Sequence, residues 1–193
     1  MQLSILIPTV PERATYLERL TTELYRQISE CNASSNVEIL IHETPMMFNG
    51  GDHTGKKRNY LLSIAKGEYV TFIDDDDMVT DCFISEVLKA ASTGCDVMGM
   101  KGWITENGAN RVEFNIAIEN EYERAGNIYF RHPNHITPMK RLIALQVGFP
   151  DISHGEDYDF SVRLKAMGLC KTQTYIDTPI YHYDYSTHNK IHP

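Results

Sequence analysis

"GEYVTFIDDDDMV" (Gly67–Val79) is the stretch on which the reading of this chain turns. Tyr69–Ile73 is an apolar run of aromatic and β-branched residues, which predicts a buried strand. Four aspartates, Asp74 to Asp77, follow it without a break. Carboxylates this close repel one another, and the repulsion grows as the local dielectric falls. A buried strand that ends this way either opens into water or faces something positive.

The segments around it predict more of the same architecture. Leu3–Ile7 is a short apolar run stopped by Pro8, and Val37–Ile41 is another. Between them Pro11 opens a helix whose Leu17, Leu20, Leu24 and Ile28 share one face. Thr54 is positioned to cap a second helix carrying Leu61, Leu62 and Ile64, with Gly67 as its stop. A third helix is expected near Asp81–Ala91 and a fourth strand at Asp96–Met100. Strands alternating with helices imply a parallel sheet with right-handed crossovers, covered on both faces.

From Lys101 the alternation breaks. Asn107-Gly108 predicts a hairpin, "MKRLIALQVGF" a helix, "GEDYDFSVRLKAMG" a helix ended by Gly168, and "TPIYHYDYSTHNKIHP" a last strand with a polar tail. The expectation is a single domain over residues 1–193, with a nucleotide-type half to residue 100 and a mixed half from residue 101.

Composition narrows the function. The 193 residues carry a formal net charge of -8, which argues against strong non-specific nucleic-acid binding. No apolar run approaches the roughly 20 residues of a membrane span, and "QLSILIPTV" does not read as a signal peptide, so a cytoplasmic location is expected. Cys31, Cys82, Cys95 and Cys170 are scattered and predict free, buried thiols.

Ligands of open parallel sheets bind beyond the carboxyl ends of the strands. That rule collects Pro8-Thr9, His42-Glu43 and Asp74–Asp77 on one rim. Aspartates there suit a hard divalent cation that shares its shell with water and phosphate oxygens. A solvated acidic turn explains one or two aspartates better than four. "GGDHTGKKRN" (Gly50–Asn59) is a near-miss to a phosphate loop, since Lys57 stands where a magnesium-binding hydroxyl belongs. Its Lys56, Lys57 and Arg58 at a helix start still suit phosphate. A calcium loop starting at Asp74 is excluded by Val79 and Ser85 at its sixth and twelfth positions. The pattern Asp75, Asp77, Val79 matches a phosphoaspartyl phosphatase but follows the third strand instead of the first. In the second half, Glu156 and Asp157 begin a helix, about 100° apart around its axis. A carboxylate there is held ionised and is able to accept a proton.

Taken in order, "SILIPTVPER", "GKKRNYLLSIAKGEYVTFIDDDD" and "GEDYDFSVRL" resemble the inverting family 2 glycosyltransferases of the GT-A fold. The resemblance covers most of the chain. It implies a Rossmann-like, mostly parallel α/β sheet with helices on both faces and a smaller mixed acceptor-side region. It also implies a nucleotide-sugar donor, often a UDP-sugar, with Mn²⁺ or Mg²⁺. By position, Asp74 and Asp76 match the Asp-x-Asp pair, with Asp76 chosen as the metal ligand and Asp74 or Asp75 near the ribose. Pro8, Thr9, Glu43, Lys57 and Arg58 fall at nucleotide-sugar positions, Glu43 standing where the family usually has Asp. Asp157 matches the catalytic base, with Glu156 beside it. His182 is a candidate third metal ligand, an alternate strand residue being the other choice, and His135 a candidate for the acceptor side. The acceptor is left open among a glycan, a lipid-linked glycan, a protein and a modified nucleobase. The competing readings are a sugar-phosphate nucleotidyltransferase, which would want a Gly-rich loop after the first strand, and a metal- or nucleotide-binding module without turnover.

Overall fold

A computed structural model describes residues 1–43, 47–48 and 51–185. In chain order its elements are β1 (Leu3–Pro8), a 3-10 turn (Pro11–Arg13), α1 (Ala14–Glu30), β2 (Val37–His42), β3 (Met47–Phe48), β4 (Gly51–Asp52), α2 (Thr54–Ile64), β5 (Tyr69–Phe72), β6 (Met78–Val79) and α3 (Phe83–Ala91). The second half holds β7 (Val97–Glu106), β8 (Ala109–Ile116), β9 (Glu123–Ala125), β10 (Ile128–Arg131), β11 (Met139–Lys140), α4 (Arg141–Val147), α5 (Glu156–Met167) and β12 (Gln173–Tyr185).

One ten-stranded sheet organises the molecule, in the order β2-β1-β5-β11-β7-β8-β10-β9, with β12 beside β7 and β6 beside β12. β1 pairs in parallel with β2 and with β5, so their carboxyl ends share a rim as expected. Every residue of β1 and β5 is buried, which is why these strands do not alternate apolar with polar residues, Ser4 and Thr71 being the only breaks in their apolar runs. One cluster packs α1 and α3 on one face, through Leu20, Leu24, Phe83 and Val87. A second packs α2, α4 and α5 on the other, through Leu61, Leu62, Ala144, Phe160 and Leu164. At about 25 cal/mol per Å² of apolar surface, such burial is the main term holding the layers together.

Several expectations change in detail. The fourth strand runs on to Glu106, and β8 returns from it around Asn107 and Gly108, whose φ angles of 51° and 74° are the positive pair a tight hairpin needs. β11 inserts between β5 and β7, antiparallel to both, so those two strands keep a common direction without touching. α2 begins at Thr54 itself, with His53 as its cap, and it ends at Ile64, because Ala65 is already extended. Gly67 does not stop the helix. A side chain there would stand 2.6 Å from Ser4 N, so the glycine lets the chain re-enter the sheet against β1. The four cysteines are free, but only Cys95 and Cys170 are buried, while Cys31 is exposed. Part of the Gly50–Asn59 near-miss, and the polar tail beyond Tyr185, lie outside the described residues.

Candidate functional site

The four aspartates leave the end of β5 in a turn closed by Asp77 N donating to Asp74 O at 3.0 Å. Asp75 and Asp77 point inward, each 1% exposed, while Asp74 and Asp76 are partly open. Each finds different company. Asp77 accepts from the buried Tyr181 hydroxyl at 2.6 Å and from Asp184 N at 3.3 Å. Burial and the neighbouring Asp74 and Asp76 push its carboxyl well up. Its place is beneath the loop, which it ties to β12.

Asp74 is anchored from α2. Arg58 Nη2 donates to its Oδ1 at 2.9 Å, and Arg58 Nε to Glu156 Oε1 at 3.2 Å. Arg58 is 3% exposed, and its guanidinium lies 5.1 Å from the centroid of the Phe72 ring and 5.8 Å from that of Phe149. Burial works against its charge, but Asp74 and Glu156 outweigh that and hold it protonated. In the same way burial raises the Asp74 carboxyl, yet Arg58 and His135 win and keep it well below the usual carboxylate range.

Asp75 and Asp76 are met from the other end of the site. Thr9 Oγ1 donates to Asp75 Oδ2 at 2.5 Å. Arg13, at the end of the 3-10 turn after β1, places Nη1 3.1 Å from Asp75 Oδ1 and Nη2 against Asp76 Oδ2. Arg19 of α1 adds a bond to Asp76 O at 3.0 Å. Even so, burial pushes Asp75 up to about 6, against the pull of Thr9 and Arg13. Burial also raises Asp76, against Arg13.

These groups line a cavity of about 330 Å³. Pro8, Thr9, Val10 and Arg13 form one part of its wall, Thr54, Lys57 and Arg58 another, and Asp74, Asp75 and Asp76 its acidic side; Ser153, His154 and Tyr183 complete it. Lys57 is buried and donates to Thr9 O at 2.9 Å. The start of α2 is fastened to the loop before α5. Gly55 N donates to Ile152 O at 3.1 Å, and Asn59 exchanges bonds of 2.8 and 2.9 Å with Phe149. A side chain at Gly55 would stand 1.9 Å from Pro150 O. The Gly-Lys-Lys-Arg-Asn run is thus a brace that sets α5 against the acidic loop.

α5 starts after Gly155, whose φ of 80° needs a glycine. The brace separates its two first acids. Glu156 is 5% exposed and turned in to Arg58, whereas the Asp157 side chain is 44% exposed. His135 stands between Asp74 and Asp157, with Nε2 3.4 Å from Asp74 Oδ2 and Nδ1 3.8 Å from Asp157 Oδ2. Its backbone carbonyl accepts from Phe72 N at 3.1 Å, which straps it to β5.

The structure therefore brings together Pro8, Thr9, Lys57, Arg58, Asp74, Asp75 and Asp76, with Glu156 and Asp157 reached through Arg58 and His135. Two expected residues are elsewhere. Glu43 is exposed at the end of β2 and does not line the cavity. His182 projects from the other side of β12, with Nε2 2.7 Å from Thr105 Oγ1 and its ring 5.4 Å from that of Trp103. It lines a separate cavity of about 540 Å³ with Trp103, Met78 and Pro179. Strand alternation is the reason: Tyr181 and Tyr183 turn toward the acids, so the residue between them turns away. Arg13 and Tyr183 are site residues that motif reading passes over. The signal for Arg13 was a basic residue one short turn beyond the strand end in "PTVPER".

Among the described residues no three His, Cys, Asp or Glu side chains form a group able to hold a metal ion by themselves. Asp74 and Asp76 are hard oxygen donors on a cavity wall, however, and a hard cation takes a few carboxylates and fills its shell from phosphate and water. The donor set fits an ion held jointly with a phosphorylated ligand.

Residues 48–148 match the sequence profile described as "Glycosyl transferase family 2". A "Putative glycosyltransferase EpsH" from Bacillus subtilis (strain 168) is 27% identical over 142 residues, which is 67% of this chain and 41% of that protein. Of solved structures, S. aureus TarS superposes with a TM-score of 0.70 at 16% identity, covering 95% of this chain and 37% of that one. S. aureus TarS 1-349 in complex with UDP-GlcNAc gives 0.64 at 17%, covering 95% of this chain and 58% of that one. The catalytic domain of Drosophila beta1,4galactosyltransferase 7, in complex with xylobiose, gives 0.58 at 15%, covering 94% and 70%. The chain thus spans less than two thirds of the length of the bacterial relatives it matches, and the structural likeness establishes a GT-A fold.

Proposed function

This chain belongs to glycosyl transferase family 2, and on that premise we propose that it moves a sugar from a nucleoside-diphosphate sugar to an acceptor hydroxyl, with inversion at the anomeric carbon. A UDP-sugar is the donor favoured, because the similar TarS structures were solved with UDP-GlcNAc and with UDP. The observation that carries the reading is a cavity of mixed charge with a solvent-facing carboxylate close beside it. Aspartates and the basic residues Lys57 and Arg58 line the cavity, and the exposed carboxylate Asp157 stands beyond His135.

In this reading the nucleoside lies along Pro8 and Thr9, the diphosphate approaches Lys57 and Arg58, and the sugar points toward Asp157. Asp74 and Asp76 would hold Mn²⁺ or Mg²⁺, which when bound neutralises charge on the departing diphosphate. Arg58 adds fixed positive charge in a water-poor site, where it acts more strongly than in bulk water. Asp157 accepts the proton of the acceptor hydroxyl as its oxygen bonds to the anomeric carbon. The bond from that carbon to the diphosphate oxygen breaks on the opposite face. Glu156 keeps Arg58 oriented and does not meet the acceptor. The acceptor itself is unassigned.

Asp157→Asn tests this directly. Loss of a general base costs about 10²–10⁴-fold in turnover. Nucleotide release from a panel of UDP-, GDP-, CDP- and dTDP-sugars with Mn²⁺ should fall by that factor, while UDP affinity by calorimetry stays unchanged. Retained turnover would show that another group takes the proton.

A further inference from the structure

Arg13 occupies the position in this site that is hardest to reconcile with an ion there. Its fork reaches Asp75 at 3.1 Å and also contacts Asp76, so one guanidinium already serves two cavity-lining carboxylates. A divalent cation taken up at Asp76 beside an unmoved guanidinium would set a double and a single positive charge against the same carboxylate, in a partly buried pocket where their mutual repulsion is strong. One of the two has to give way. Arg58 has no room to do so, being 3% exposed between Asp74 and Glu156 and over two rings. Arg13 has room. Its side chain is 27% exposed and lines the cavity. Its backbone, at φ -105° and ψ 16°, is the non-helical joint between the 3-10 turn and α1. The same cavity is where the donor's diphosphate is placed in the reading above, and a planar fork suits phosphate oxygens as well as it suits carboxylates.

We propose that Arg13 is an exchangeable counter-cation: it holds Asp75 and Asp76 before ligands bind, releases Asp76 when a divalent cation arrives with a nucleoside diphosphate, and transfers its guanidinium to that diphosphate. The proposal rests on the metal-dependent donor reading and adds to it a residue that couples ion uptake to nucleotide uptake. Neither the ion alone nor the nucleotide alone completes the exchange, so each should promote binding of the other.

The test compares the wild type with Arg13→Met and Arg13→Gln, using Mn²⁺ and UDP as probes in calorimetry, with circular dichroism to select folded variants. Without UDP, both variants should bind Mn²⁺ about tenfold tighter than the wild type, because the competing cation is gone; couplings of this size are ordinary for linked sites. At saturating Mn²⁺, both should bind UDP about tenfold more weakly, as expected when one charge-assisted contact is lost. A merely structural role for Arg13 would weaken both ligands together. Arg13→Lys should fall between, keeping the charge without the fork. Variants that bind Mn²⁺ no tighter than the wild type, or UDP no more weakly, would overturn the exchange. A wild type that binds UDP but takes up no Mn²⁺ with it would overturn the metal reading as well, and so the two failures are told apart.

Discussion

Arg58 and Arg13 both reach the acidic loop after β5, one from α2 and one from the turn after β1, and they are held in opposite ways. Arg58 is sealed in: it bonds Asp74 and Glu156, which lie 16 and 98 residues away in sequence, and it packs on Phe72 and Phe149. Arg13 bonds two neighbouring acids of one loop and keeps a quarter of its side chain in solvent. The same guanidinium–carboxylate chemistry therefore makes a strut in one place and a removable contact in the other. What differs is burial. A buried pair cannot lose one member without stranding the other, whereas a half-open pair exchanges its partner for water, an ion or a phosphate.

The largest effect that tests this contrast is Arg58→Met. Breaking a buried ion pair by removing one partner costs about 3–5 kcal/mol. Here two carboxylates are left without their cation, so thermal unfolding should drop by roughly 10 °C for a chain of this size. The loss should exceed that of any single substitution at Arg13. A variant that melts with the wild type would show that Arg58 is no strut, and that the brace from α2 to α5 stands on its other contacts, those of Gly55, Lys56 and Asn59 with the loop before α5.

How much of this was legible beforehand follows from distance along the chain. The acid run, the strand ends and the helix-start acids are local signals, and the rule that ligands gather at carboxyl ends of parallel strands places them on one rim without a structure. Partners far apart in sequence leave no periodic trace. Nothing in "GKKRN" says that Arg58 pairs with Glu156, or that Glu156 turns inward while Asp157 faces out. β11 is two residues long, too short for any pattern to reveal, yet it splits β5 from β7. His182 illustrates another limit. β12 shifts register between Ile176 and Tyr181, so counting alternate residues from the start of the strand does not tell which side faces the acids. Glu43, at the end of an edge strand, matched a family position, but position along the chain does not guarantee that a side chain turns into the cavity.

A smaller effect, on pH, sharpens the comparison between the acids that the two arginines meet. Asp74 is held well below the ordinary carboxylate pKa of about 3.9. Its stabilising contribution is present above that value and is lost only as pH falls through it and below. Asp75 is pushed up to about 6, chiefly by burial. In the folded, ion-free protein it keeps a proton that the unfolded chain has already released above pH ~4. Its contribution is therefore full below pH ~4 and lost as pH rises to ~6. Comparing wild type with Asp75→Asn by denaturant unfolding at pH 4.5 and 7.5 isolates it. The stability advantage of the wild type should shrink by about 1–3 kcal/mol over that interval. An advantage that grows with pH would mean that Thr9 and Arg13 outweigh burial at Asp75, making it an anchored acid like Asp74.

The smallest effect is the stability of Arg13→Met itself, and it is informative for being small. The Arg13–Asp76 pair is open at both ends, 27% and 26% exposed, and such pairs contribute about 0–1 kcal/mol, because water competes for both partners and ordering a long side chain costs entropy. Removing this guanidinium leaves Asp75 its bond from Thr9 and leaves Asp76 open to solvent. Chemical denaturation at pH 7.5 without added ion should therefore place Arg13→Met within about 1 kcal/mol of the wild type. A loss as large as that of Arg58→Met would mean that Arg13 is a second strut. The acidic loop would then be fixed at both ends, and an incoming cation would have to find ligands that no arginine already holds.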